Sequence, residues 1–465
     1  MTALWTPTDL RTATGGMLRT PFAATGVSID TRTLRPGDLF VALVGESDGH
    51  RWVRAALEKG AAGALVHTLP DDVADDAPLL AVPDTLEGLR GLAAYARARF
   101  AGKLVAVTGS VGKTTTKEML RAILAAHAST WAAEASHNNH WGLPLTLTRI
   151  PRPAAYCVAE IGMNHAGEIS PLARLAAPHV ALITSVEKVH VGHLGTIEAV
   201  ADEKLAIQDG LDNGLLILPH DSTMYARLRA GARHATRSFG TNPEADDRLL
   251  STSSDATGTQ VEALIAGIRV TTHLAAPGAH MALNALAALS AAAALGAAPT
   301  RGAEALQGFA PVAGRGARRR IAVPGGTALL LDESYNASAV AVRAAFAVLA
   351  LQPATRRVAI LGDMRELGEF GPAEHAGLAE AAATADIVHT CGPLMQHLRD
   401  ALPATKRGLH AADSAALAPL LAATLRDGDA VLVKGSLGSK MKLVIDAIDH
   451  PAPPIPGDST TGEPA

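Results

Sequence analysis

Residues 104–116 read Leu-Val-Ala-Val-Thr-Gly-Ser-Val-Gly-Lys-Thr-Thr-Thr. A Val-rich run enters a glycine turn, Lys113 and Thr114 follow, and Met119, Leu120, Ile123 and Leu124 then recur at helical spacing. That order predicts a strand, a phosphate-binding loop and a helix. Gly109 and Gly112 let backbone N–H groups close on phosphate oxygens, Lys113 supplies charge to the terminal phosphates, and the Thr114 hydroxyl is suited to ligating Mg²⁺. The loop is a short Gly-x-x-Gly-Lys-Thr form, with Val107 where the general pattern has its first glycine. On the helix, Lys117, Glu118 and Arg121 are expected to face solvent.

Outward from this loop the chain alternates apolar runs and helical patterns. Runs at 155–161, 179–184 and 215–218 follow the one at 104–108, which argues for a parallel sheet with its ligand at the carboxyl ends of the strands. Residues 248–275 alternate as antiparallel strands do, and an alanine-rich stretch from 281 to 298 reads as a closely packed buried helix rather than a membrane span. Before the loop, runs at 38–44, 63–66 and 79–82 indicate a small α/β domain. After Gly314 the α/β pattern restarts, with runs at 328–332, 358–362, 386–391 and 430–434. At 465 residues the chain is too long for one core, and about 150 residues per domain suggests three. The expected division is an N-terminal domain over 1–101, a central doubly wound domain over 102–313 and a Rossmann-like α/β domain over 314–465. The Pro-, Gly- and Ser/Thr-rich tail from about 451 is expected to be disordered.

Composition narrows the function classes. A net charge of −4 gives no field to gather nucleic acid, and 3% aromatic residues are too few for base-stacking platforms. Cys157 and Cys391 lie far apart in strand-like runs, without disulfide or metal spacing, which indicates a reducing compartment. The N-terminus lacks a basic and an apolar leader region, so the expectation is a cytoplasmic protein.

Strand ends supply the remaining candidates. Glu160 closes the run Ala155–Glu160, where a carboxylate can hold Mg²⁺ beside Thr114. His190 lies in the loop beyond Thr184, with His193 ranked below it. Lys204 sits in a helical stretch that by itself reads as solvated surface. Asn138-Asn139 opens a turn-rich segment that could bind a polar substrate or only cap a turn. Arg315, in Gly-Arg-Gly at the inferred domain junction, could reach nucleotide phosphates, whereas Arg318–Arg320 reads as a solvated run. Asp332 and Lys434 open strand-end loops.

Taken together these segments resemble the Mur ligases. The motifs are Thr108–Thr115, Asn138-Asn139 with Gly142 and Pro144, Glu160 in Glu-Ile-Gly-Met-Asn-His-Ala-Gly-Glu168, and His190. They continue with Asn284 in Gly278–Asn284, Asp332 in Asp-Glu-Ser-Tyr-Asn-Ala337, and Leu361–Gly368. The resemblance spans about 27–445. It implies an ATP-dependent amide ligase of peptidoglycan precursor synthesis that adds D-alanyl-D-alanine to UDP-N-acetylmuramoyl-tripeptide through an acyl phosphate. Such an enzyme serves the cell wall, cell shape and cell division, and the expected state is a monomer. In this resemblance Gly109, Ser110, Val111, Gly112, Lys113, Thr114 and Thr115 bind ATP, and Asn284 and Asp332 contact the adenine and ribose region. Arg315 takes the phosphates. Thr114 and Glu160 hold one Mg²⁺, and His190 with Lys204 a second, the lysine being carbamoylated in the family. Ser28, Asp30, Thr31 and Arg32 form the uridine-diphosphate turn, and Asn138 and Asn139 contact substrate. Lys113, Lys204, His190 and Arg315 are the implied catalytic groups.

Two departures stand out. Gly192 replaces an acidic residue common in the family, and the Asp-Asn-Pro-Arg motif of the ligase adding the third peptide residue is absent. Other readings of the loop are a folate-extending amide ligase of the same kind and a nucleotide switch that performs no ligation.

Overall fold

The computed structural model describes residues 3–133 and 136–450, so the expected disordered tail lies outside the described residues. The protein is mixed α/β with three sheets. The first comprises β1 (Met17–Leu18), β2 (Gly26–Ser28), β3 (Asp38–Val41), β4 (Gly63–Val66) and β5 (Leu79–Ala81), in the order β1-β5-β4-β3-β2. β2 to β5 run parallel and only β1 is antiparallel.

The second sheet carries the phosphate loop. Its strands are β6 (Lys103–Thr108), β7 (Thr130–Ala132), β8 (Tyr156–Glu160), β9 (Val180–Ile183), β10 (Leu215–Pro219), β11 (Ala235–Gly240), β12 (Asp247–Ser254), β13 (Thr259–Ile265) and β14 (Ile268–Leu274). Their order is β14-β13-β12-β11-β10-β9-β6-β8-β7. From β6 the chain first builds β7 and β8 on one side and then returns to place β9 on the other. The loop after β6 therefore sits at the topological switch point, where open α/β sheets bind ligands. β9 is buried along its whole length and β6 everywhere but Lys103, as parallel strands covered on both faces must be.

The third sheet contains β15 (Ala317–Val323), β16 (Gly326–Glu333), β17 (Arg356–Gly362), β18 (Ile387–Cys391), β19 (Arg407–Ala411) and β20 (Asp429–Lys434), in the order β15-β16-β20-β17-β18-β19. β15 and β16 form an antiparallel hairpin, and the other pairings are parallel. Arg318–Arg320 belong to an edge strand, on which Arg319 and Arg320 are exposed as expected and Arg318 is half-buried. The Arg318 guanidinium donates to the carbonyls of Ala256, Thr257 and Ala275.

By its contacts the chain divides into two compact units. One takes in residues up to 252 together with 260–273 and 282–307, and the other 253–259, 274–281 and the described residues from 308 onward. The alanine-rich helix, Ala279–Ala294, buries Ala282, Ala285, Leu286, Ala288, Leu289 and Ala291. Among the described residues no helix is long and apolar enough to cross a membrane.

Candidate active site

β6 ends at the buried Thr108, and the chain turns through Gly109 and Gly112 into the helix Lys113–Ala125. Gly112 has φ 82° and caps that helix, and a Cβ there would overlap Asn284 Oδ1. Only glycine takes this conformation without strain and without displacing Asn284. A Cβ on Gly109 would run into the Thr184 hydroxyl. The loop is stitched to the end of β9: Ser110 N donates to Ser185 O (2.9 Å), Val111 N to Ser185 Oγ (3.0 Å), and Thr184 Oγ1 to Val111 O (2.6 Å). Ser110 Oγ receives Glu187 N at 2.9 Å. Ser110 and Val111 therefore spend their N–H groups on the fold. The first-turn N–H groups at Lys113–Thr115 have no intrahelical acceptor and stay open to an anion. Lys113 Nζ lies against the loop, 2.6 Å from Gly109 O.

The β6–β8 register sets Glu160 opposite Val107, one strand from the loop. Its carboxylate accepts from Thr114 Oγ1 at 2.9 Å and from Asn138 Nδ2 at 2.8 Å, with Thr114 and Glu160 both buried. Ser136 Oγ, which the sequence reading did not single out, lies 3.1 Å from Thr114 Oγ1. Asn138 is thus brought to the carboxylate predicted to hold metal. Asn139 Oδ1 instead accepts from the N–H groups of Trp141 and Gly142 at the start of the helix Gly142–Thr148.

A magnesium ion keeps several waters and needs only one or two protein oxygens besides phosphate. A fixed carboxylate with an adjacent hydroxyl is a suitable donor set for it. Among the described residues no three His, Cys, Asp or Glu side chains gather as a metal site.

Lys204 is not the solvated residue its local sequence suggests. It lies in the helix Ile197–Leu205 and is 1% exposed. Burial, and then the charge of Lys113, push its pKa well below the ordinary lysine value against the pull of Glu203. Glu203 itself receives the N–H groups of Gly167 (2.8 Å) and Ile169 (2.9 Å) and so fixes the loop after β8. His190 is half-buried with φ 64° and starts the turn Val191–Leu194, which packs against the Lys204 helix. Burial alone raises the Glu187 carboxyl above its usual range.

In the second unit, Asp332 organises the Arg315 turn. Its carboxylate accepts from Gly314 N at 2.9 Å and from Ser334 Oγ at 2.6 Å, while its carbonyl accepts from Gly316 N at 2.8 Å. The Arg315 guanidinium stacks 4.1 Å from the Tyr335 ring centroid. Tyr335 and Ser334 were part of a quoted motif, but nothing in their spacing announced this role.

In the first unit, an open cleft of about 1800 Å³ is lined by Asp30, Thr31, Arg32, Asn139, Trp141 and Arg149 among others. Ser28 is fully buried and holds the turn through Asp30 N and O, so it shapes this cleft without lining it. Arg32 pairs with Asp30 through two guanidinium nitrogens and holds that carboxyl below its usual range.

Residues 107–292 match the model of the Mur ligase middle domain, and 314–437 that of the Mur ligase glutamate ligase domain. The UDP-N-acetylmuramoyl-tripeptide–D-alanyl-D-alanine ligase of Escherichia coli K12 is 35% identical, over 91% of this chain and 93% of its own. The enzyme of that name from Bacillus subtilis 168 is 33% identical, over 92% and 93%. Among solved structures, MurF from Acinetobacter baumannii superposes with a TM-score of 0.83 at 29% identity, covering 96% of this chain and 98% of its own. MurF ligase from Thermotoga maritima in complex with ADP gives a TM-score of 0.75 at 26% identity, covering 91% and 97%. Sheet order, loop and full-length similarity agree: the chain belongs to the Mur ligase family, among its UDP-N-acetylmuramoyl-tripeptide–D-alanyl-D-alanine ligases.

Proposed function

We propose that this chain is the ATP-dependent ligase that joins D-alanyl-D-alanine to UDP-N-acetylmuramoyl-tripeptide in peptidoglycan precursor synthesis. One observation carries the reading. A match over 91% of the chain reaches beyond the nucleotide-handling domains into the N-terminal region, where the uridine-linked substrate would bind. The domains in this reading are 1–101 for that substrate, 102–313 for ATP and 314–465 for the acceptor, and the enzyme works as a cytoplasmic monomer.

A carboxylate is a poor electrophile, so the γ-phosphoryl of ATP passes first to the tripeptide carboxylate and releases ADP. The dipeptide amine then attacks the acyl phosphate carbon, the C–O bond to phosphate breaks, and the amine loses its proton as the amide forms. Positioning and charge neutralisation dominate such a transfer. The helix start at Lys113–Thr115 would receive the phosphates, with Lys113 swinging from Gly109 O onto them. Thr114 and Glu160 would hold Mg²⁺, which supplies Lewis-acid neutralisation of phosphate charge; their 2.9 Å contact supports this assignment. Asn138 would keep the Glu160 carboxylate oriented.

Lys204 as an ammonium is no metal ligand. Its burial favours the neutral amine. That amine can add to CO₂ with loss of a proton, giving a carbamate that could share a second Mg²⁺ with His190. Arg315 would stabilise phosphate charge, Asn284 and Asp332 would contact the nucleoside, and Asp30, Thr31, Arg32 and Asn139 would line the path of the UDP-peptide, with Ser28 shaping it.

Phosphate release tests the proposal. ATP consumption should require both the UDP-linked tripeptide and D-alanyl-D-alanine, and ¹³C-carbonate should label Lys204. Equal ATP hydrolysis with no acceptor present would point to a nucleotide switch and sink the ligase reading.

A further inference from the structure

In the third sheet, the segment Asp363–Leu367 leaves β17 and plays no part in the nucleotide site, yet its backbone is tied down residue by residue. Asp363 is buried and takes Met395 N on Oδ1 at 2.8 Å, and its carbonyl accepts from Ser436 N and Ser439 Oγ. Met364 N donates to Nε2 of the fully buried His375 at 3.0 Å. Arg365 N donates to Ser436 Oγ at 2.9 Å. Glu366 follows with φ 67°, a conformation that a side-chain-bearing residue keeps only where its surroundings enforce it.

Out of this fixed loop the Arg365 side chain projects to solvent along the backbone of Gly438, where a Cβ would stand 3.0 Å from Cδ and 3.2 Å from Nε. Its guanidinium has no hydrogen-bond or ion-pair partner among the described residues. By contrast Arg343, Arg356, Arg357, Arg399 and Arg407 each donate to a protein acceptor. A planar, permanently charged fork held on a rigid loop is suited to a carboxylate, since little ordering remains to be done on binding.

Strand order sets the distances. β16, β20 and β17 are neighbours, so the Asp332–Arg315 turn, the Ser436 loop and the Arg365 loop follow one another along one edge of the sheet. Two strand spacings give about 10 Å between the outer loops. An extended dipeptide spans about 7 Å. We propose that Arg365 binds the C-terminal carboxylate of the incoming dipeptide and so aims its amine toward the β16 loop. This rests on the ligase reading above and adds the residue that selects a free acid as acceptor.

Steady-state kinetics with Arg365→Ala, Arg365→Lys and the C-terminally amidated dipeptide test it. Arg365→Ala should raise the dipeptide KM about 10- to 100-fold, as expected for one lost charge-assisted contact. The KM values for ATP and the UDP-tripeptide should stay within twofold. Arg365→Lys should recover only part of the loss, because it keeps the charge but not the fork. The amide should be penalised on the parent enzyme by a similar factor and not at all on Arg365→Ala. An unchanged dipeptide KM, a rise in all three KM values together, or a surviving preference for the free acid in Arg365→Ala overturns the assignment. A parent enzyme that turns over normally while these outcomes appear leaves the ligase reading standing. A parent enzyme with no dipeptide-dependent turnover removes both.

Discussion

Replacing Gly112 by Ala isolates the physical requirement of the phosphate loop. At φ 82° a β-carbon costs about 1–2 kcal/mol. The same carbon would occupy the space of Asn284 Oδ1, so that side chain must leave its rotamer for about another 0.5–1.5 kcal/mol. The variant relieves both by opening the loop in the free enzyme, and ATP must then pull it closed again. Nucleotide affinity should fall by about 2–3 kcal/mol, or about 30- to 150-fold. Isothermal titration with ADP measures this directly, and circular dichroism should show an intact fold. A double-mutant cycle separates the two parts: Asn284→Ala should cost less in the Gly112→Ala background than in the parent, because it removes the overlap. Affinity within threefold of the parent, with no coupling to position 284, would show that the loop does not need this geometry.

Glu160→Gln keeps the shape of the buried contact with Thr114 but removes the charge. Phosphate release should fall at least about 100-fold, with the magnesium midpoint shifted upward; an unchanged midpoint would exclude Glu160 as a ligand. Glu333→Ala leaves the buried Lys434 ammonium without its partner at 3.1 Å and should destabilise the fold by about 3 kcal/mol in urea unfolding, whereas the neutral pair Glu333→Gln with Lys434→Met should recover most of that. His389 is buried with Nδ1 accepting from Leu409 N, and desolvation followed by the charges of Arg356 and Arg399 lowers its pKa to about 4. The unfolded chain binds this proton below about 6.5 and the fold refuses it until about 4, so stability is lost as pH falls between those values, by up to about 3 kcal/mol. As pH falls from about 6.5 to about 4 the parent should therefore lose stability relative to His389→Asn; parallel curves would contradict this.

What the sequence disclosed follows the range of the interactions involved. The strand–loop–helix at 104–125 was legible because glycine conformation and helical periodicity are local. The apolar runs that became β8, β9, β10, β17 and β20 were legible because strands buried on both faces must be apolar throughout. The missed strands are those without such runs. β7 is Thr-Trp-Ala at an edge, β11 is Ala-Thr-Arg-Ser-Phe-Gly, and β15 carries three arginines because an antiparallel edge strand needs only part of one face covered. Periodicity also misjudged the helix after the loop. Lys117 and Glu118 were expected in solvent, but both are buried and paired at 2.8 Å, and Lys117 donates to Ala133 O. A hydrophobic stripe identifies one covered face, whereas residues from a distant part of the chain decide whether the other is covered too.

The same limit governs the site. Glu160 could be inferred because a strand end beside the loop strand has a defined place, and the register sets it opposite Val107. Lys204 could not, since nothing in Ala201-Asp-Glu-Lys-Leu205 distinguishes a buried lysine from an exposed one. Once in place, however, Lys204 is conspicuous on energetic grounds. It is a buried amine within the field of Lys113. Natural sequences avoid such conflicts between a residue and its surroundings except where chemistry requires them. Converting the amine to an anion beside Lys113 would replace repulsion by attraction, so the burial that makes Lys204 unfavourable as an ammonium is also what would make it reactive and then useful.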